Sequence, residues 1–173
     1  MSTIHYLVPT HSDGVFKDLV HTISVADRDD ADALFVAAKD RLWRVNGWGG
    51  GGSVAFRLTD AHGNNVNRIA HKNDHIRITS GNTAESTDWV VVDAIEYDDY
   101  PDDDMETFAI RVHPAADSPE HVPSGTFVIE RCGCRLSAAY HGRNEVVHSP
   151  GGSNAWHNIT DQQWLTIIRA FIE

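Results

Sequence analysis

Between residues 54 and 141 the chain is a succession of short runs in which apolar and polar residues alternate. That period of two constrains the fold more than any other feature, because alternate side chains of a strand point to opposite faces of a sheet. Val54, Phe56 and Leu58 alternate with Ala55, Arg57 and Thr59. Further runs follow around His75-Ile76-Arg77-Ile78 and over 89–97, 107–112, 126–131 and 134–141. Turn and breaker residues separate them: Asp60-Ala61-His62-Gly63, the acidic segment 98–104 with Pro101, and Pro114, Pro119 and Pro123. The stretch therefore reads as five or six antiparallel strands. Cys132-Gly133 is expected to be a two-residue hairpin turn, which sets Ile129 opposite Leu136, Phe127 opposite Ala138 and Glu130 opposite Arg135.

Helical spacing appears only at the flanks. An extended segment at 4–8 and a β-branched run at 19–25 precede a helix expected over about 30–45. Asp27 or Asp30 is its N-cap, and Leu34, Ala38, Leu42 and Val45 form its stripe with Phe35 beside them. Asn46-Gly47 stops it. The Gly-rich segment 47–53 formally contains GxGxxG, but a helix precedes it and a strand follows. That order is the reverse of a phosphate-binding loop, so a flexible connection or a loop over a pocket is expected. Near the C-terminus Thr160 and Gln163 make a capping box, followed by a helix striped by Trp164, Ile168 and Phe171 with Leu165 and Ile172.

Strand, helix, Gly-rich loop, antiparallel strands and C-terminal helix form an order that resembles the helix-grip fold of the START and pollen-allergen superfamily. The resemblance covers roughly residues 19–173. It implies a curved sheet wrapped around a C-terminal helix, with a cavity between them. The fold class expected is α+β: a largely antiparallel curved sheet packed against an early helix and a C-terminal helix, in one domain over 1–173. A β-sandwich with peripheral helices is the alternative.

Charge narrows the partners. Asp plus Glu number 25 against 14 Lys plus Arg, a net charge of −11, and no Lys/Arg cluster stands out. Repulsion from phosphates argues against nucleic acid and against an anionic membrane. There is no apolar run long enough to span a bilayer and no signal-peptide pattern. The two cysteines, Cys132 and Cys134, are too few for a disulfide framework. A cytoplasmic location is expected; oligomeric state is left open.

Candidate chemistry rests on ionisable residues near strand ends. Arg111 and His113 share one face of the 107–113 run, and His141, Arg143 and Glu145 share one face of the last strand. Convergence of the two sets would give an imidazole beside a carboxylate and a guanidinium for an oxyanion. The alternative is an outer sheet face laced with ion pairs. Asp93 is the other catalytic candidate: it shares a face with Trp89, Val91 and Ile95, and that face is inward or outward on equal evidence. Trp89, Trp164, Phe127, Tyr140 and Arg111 are the expected ligand contacts. His71 and His75, four apart, lie on loop and strand and lack the glutamate of a zinc helix. No cofactor and no metal are expected. The function expected is binding of a small molecule between sheet and C-terminal helix, with acid–base chemistry from the His/Arg/Glu set. The alternatives are an interaction or assembly protein with an acidic surface, and a divalent-metal-binding protein.

Overall fold

The structure is a computed structural model that describes residues 15–49, 54–80, 87–115, 125–144 and 159–173. The expected strand at 4–8, most of the loop after Pro114, and Glu145 lie outside the described residues. Seven strands form one antiparallel sheet: β1 Val15–Ser24, β2 Val54–Thr59, β3 His75–Ser80, β4 Thr87–Tyr100, β5 Met105–Pro114, β6 Gly125–Cys132 and β7 Arg135–Asn144. Their order across the sheet is β1-β7-β6-β5-β4-β3-β2. Helix α1, Arg28–Trp43, packs on β5 and β6, and α2, Asp161–Ile172, packs on β1, β7 and α1. An antiparallel sheet gripping a C-terminal helix on one face is the helix-grip arrangement expected above.

Asp27 caps α1, its side chain accepting the N–H of Asp30. The buried stripe is Ala31, Phe35, Ala38 and Leu42, with Leu34 only partly covered. The helix ends at Trp43, and Val45–Gly47 form a single 3₁₀ turn. Trp48, expected in a flexible loop, is instead core: its ring meets Phe56, Phe127 and Phe171 at 5.4, 4.8 and 5.8 Å. The Thr160–Gln163 capping box forms as expected. Trp164, Ile167, Ile168, Phe171 and Ile172 of α2 are buried.

The last hairpin differs from expectation in register. Cys132 faces Arg135, so the turn is Gly133-Cys134; Ile129 faces Ala138, Phe127 faces Tyr140, and Glu130 faces Ser137 rather than Arg135. Gly133 stands at φ 60°, the positive φ that such turns demand at their first central position, which a cysteine there would resist. The displacement is one residue on each strand, so every side chain keeps its face. The segment expected as an acidic loop is partly strand: β4 runs to Tyr100, and one 3₁₀ turn, Pro101–Asp103, leads towards β5.

A buried arginine ties that hairpin to α1. Arg131 is 2% exposed and meets Asp32 and Glu106 at 3.0 Å and Asp104 at 3.1 Å. It also donates to the carbonyls of Asp104 and Gly133. Burial opposes its charge, but the carboxylates of Glu106, Asp104 and Asp32 outweigh that and hold its pKa above the ordinary arginine value.

Candidate functional site

On β4, Val92 pairs with Val112 and Ala94 with Arg111, leaving Asp93 as the extra residue of a bulge. The bulge reverses the parity of the strand. Val90 and Val92 are buried on the helix side, and beyond Asp93 the helix side takes Ile95 and Tyr97, whose ring lies 6.4 Å from Phe35. The choice between the two faces of 89–97 thus has both answers, one on each side of Asp93.

The bulge also marks where β4 loses a neighbour. Pairing with β3 runs only to His75↔Val91, followed by the hydrogen bonds Val92 N–H to Asp74 and Asn73 N–H to Val92. The chain before Asp74 then turns towards α1, where Ala70 and Trp43 exchange bonds: the indole Nε1–H donates to the Ala70 carbonyl at 2.8 Å and the Ala70 N–H to the Trp43 carbonyl at 3.0 Å. Asp74 fixes this turn by accepting from Arg68 at 2.6 and 3.1 Å and from the His71 N–H at 2.7 Å. Burial pushes its carboxyl up, but these bonds and the Arg68 charge outweigh it and hold its pKa below the usual carboxylate range.

Between the diverted chain and the part of β4 that runs on beyond β3 lies an open cleft of about 490 Å³. Trp43, Ala70 and Ile95 give it apolar surface; Lys72, Asp93, Glu96 and Arg111 give it charge. Arg111 Nε donates to Asp93 Oδ1 at 2.7 Å, and His113 Nε2 stands 4.0 Å from Asp93 Oδ2. An ion pair beside an indole suits a ligand with a flat apolar body and a charged end.

Of the expected site residues, Asp93, Arg111 and His113 come together. His141 does not join them: its row across the outer face runs Arg111, Thr126, His141, Asp18, so it stands two strands, roughly 10 Å, from Arg111. Its Nδ1 meets Asp18 Oδ1 at 2.7 Å. Arg143 lies two residues further along β7, opposite Phe16. Trp89 is on the same outer face, its ring edge-on to His75 at 6.5 Å. Phe127 and Tyr140 face the helices and, with Trp164 of α2, fill one another's space. Tyr140 stacks on Trp164 at 4.2 Å, and Phe127 lies 5.1 and 5.6 Å from them; each is at most 1% exposed. The expected lining is thus divided between two faces of the sheet. Among the described residues no group of three His, Cys, Asp or Glu is placed to hold a metal ion. No helix there is long and apolar enough to cross a membrane.

No family model matches the chain. No curated protein matches it either. Solved structures do. It is similar to major latex-like protein 151 of Panax ginseng, at 10% identity over 92% of this chain and 100% of that one, TM-score 0.44. It is similar to a truncated norcoclaurine synthase of Thalictrum flavum, at 10% identity over 95% of each chain, TM-score 0.45. A third likeness is to Ara h 8.0201, at 11% identity over 91% of this chain and 95% of that one, TM-score 0.40. Another norcoclaurine synthase structure holds dopamine and hydroxybenzaldehyde. Likenesses this distant do not transfer a ligand or a reaction.

Sequence reasoning missed Trp43, Ala70, Lys72, Ile95 and Glu96 as lining. The signal that could have found the bulge was present. Apolar residues fall on even numbers at Val90 and Val92 and on odd numbers at Ile95 and Tyr97, with the charged Asp93 between.

Proposed function

We propose that the protein binds a small molecule in the cleft beside the β4 bulge. What supports this reading is one coincidence. A volume of about 490 Å³, an indole face and the Asp93–Arg111 pair meet where β4 loses its neighbour. The volume falls within the range of small-molecule sites. The ligand class is a flat apolar molecule with an acidic group: the body lies on Trp43 and Ile95, and Lys72 and Arg111 take the anion. Arginine has five N–H donors, and one of those of Arg111 serves Asp93. His113, whose Nε2 stands 4.0 Å from Asp93 Oδ2, is the acid–base group beside this pair. His141 is left out of it, being engaged with Asp18.

A thermal-shift screen of aromatic and aliphatic carboxylates tests the reading. A compound at a hundred times its Kd adds about 2.7 kcal/mol, which is roughly 5–10 °C for a chain of this size. Arg111→Gln should abolish the shift and His141→Ala should keep it. Equal stabilisation of Arg111→Gln and wild type, or no stabilising compound, would remove the cleft from consideration.

A further inference from the structure

We propose that Arg57 and Arg77, with Trp89 beside them, form a binding site for a phosphate monoester carried on a flat ring. The site lies on the outer face of β2, β3 and β4 and shares no residue with the cleft, so it does not rest on the small-molecule reading above.

Topology brings these residues together. Arg57 of β2 pairs with Arg77 of β3, and Arg77 pairs with Trp89 of β4, so the three stand in one row across the sheet. Their strand neighbours Phe56, Leu58, Ile76, Ile78 and Val90 are buried in the core, which turns the row to the outer face. Arg57 is exposed, and Arg77 and Trp89 are partly buried. His75, also partly buried, closes one side with its ring edge-on to Trp89 at 6.5 Å.

Charge sets this row apart. Like charges directly opposite one another destabilise a sheet. Acidic residues outnumber basic ones 25 to 14, yet among the described residues neither guanidinium takes part in an ion pair or a hydrogen bond. The carboxylates at the adjoining strand ends are engaged elsewhere. Asp60 accepts from the N–H groups of His62 and Asn64, and Asp74 accepts from Arg68. By contrast, Arg28, Arg44, Arg68, Arg111, Arg131 and Arg169 each hold a carboxylate. An anion shared by Arg57 and Arg77 would turn their repulsion into attraction.

The two forks select the anion. Directly opposed side chains leave the sheet about 5 Å apart, within reach of one shared group. A carboxylate has two oxygens and one charge, which a single guanidinium satisfies. A phosphate monoester has three terminal oxygens and a charge of about −1.5 to −2 at neutral pH, enough for both. Its ring then lies over Trp89, where it can stack on the indole. A polyanion is disfavoured, because the net charge of −11 repels it along its whole length.

The test is a ¹⁵N–¹H titration of the full chain with phenyl phosphate at constant ionic strength. The Trp89 indole N–H and the amides of Arg57 and Arg77 should shift with one Kd. Arg57→Gln and Arg77→Gln should each weaken binding read at Trp89 by about tenfold or more, the worth of a charge-assisted hydrogen bond. Neither should lower the Tm, since each removes a repulsion. Benzoate should bind there more weakly than phenyl phosphate, and Trp89→Leu should reduce phenyl phosphate to the affinity of inorganic phosphate. Tighter binding of a tyrosine-phosphorylated peptide than of phenyl phosphate would support the site with a protein side chain as its source of the group; weaker binding would support it with a free small molecule. Unchanged affinity in both arginine variants, equal binding of benzoate at Trp89, or shifts confined to Trp43 and the cleft at millimolar phenyl phosphate would overturn the proposal.

Discussion

Gly142 of β7 offers a sharp test of the interior. A methyl group there would fall inside contact distance of Oη and Cζ of Tyr140 and 2.8 Å from its Cε1. The Tyr140 ring lies over the glycine because both residues face the helices, and it has nowhere to go: Trp164 stacks on it at 4.2 Å and Phe127 lies at 5.1 Å. In an unobstructed strand Gly→Ala stabilises by about 0.5–1 kcal/mol. Here overpacking of about 1–3 kcal/mol reverses the sign. The expected net loss is about 1–2 kcal/mol, a fall in Tm of roughly 2–8 °C. Denaturant unfolding of Gly142→Ala, Tyr140→Leu and the double variant measures it as a cycle. The loss should vanish, or turn into a gain, in the Tyr140→Leu background. A Gly142→Ala variant as stable as wild type, or an equal loss in both backgrounds, would refute the reasoning.

Arg131→Met would remove the shared partner of Asp32, Asp104 and Glu106; because Asp32 and Asp104 are 40% exposed and also meet Arg28, the loss should fall below the about 3–5 kcal/mol of a fully buried pair. Urea unfolding should show that loss, and added salt should recover part of it. Asp74 has a pKa lowered on folding, so its contribution is complete above the unfolded carboxylate range and lost as pH falls through the folded value. The stability difference between wild type and Asp74→Asn should therefore shrink below about pH 4, and a difference that grew there would contradict the assignment. Thr160→Ala removes the α2 cap and should cost about 1 kcal/mol by the same unfolding assay.

Much of the fold was legible because strands record their faces locally. The alternation of Phe108, Ile110 and Val112 against Thr107, Ala109 and Arg111 placed β5 correctly, and the capping box placed α2. The register of β6 and β7 depended on which of two residues carries a positive φ, and Gly133 decided it. Trp48 looked like loop because four glycines follow it in the sequence, yet it is held by Phe56 of β2 and by Phe127 and Phe171, which lie far along the chain. The site was the least legible part. Arg111, His113 and Asp93 were recognisable as candidates. Their cleft, however, arises because β4 outruns β3 and the chain at Ala70 is drawn to Trp43, and both depend on contacts distant in sequence. Likewise, an inward Phe127, Tyr140 and Trp164 could be read from the pattern, but not that they fill the space between them.

The most direct test of the proposed binding site is a ¹⁵N–¹H spectrum of the protein titrated with a carboxylate taken from the screen. The Trp43 indole N–H and the amides of Asp93, Ala94 and Glu96, which line the cleft, should shift with one common Kd. The indoles of Trp48 and Trp164, enclosed between sheet and α2, should stay in place. Shifts centred on Trp164 and Trp48 with Trp43 unmoved would put the ligand between sheet and helix and contradict the account.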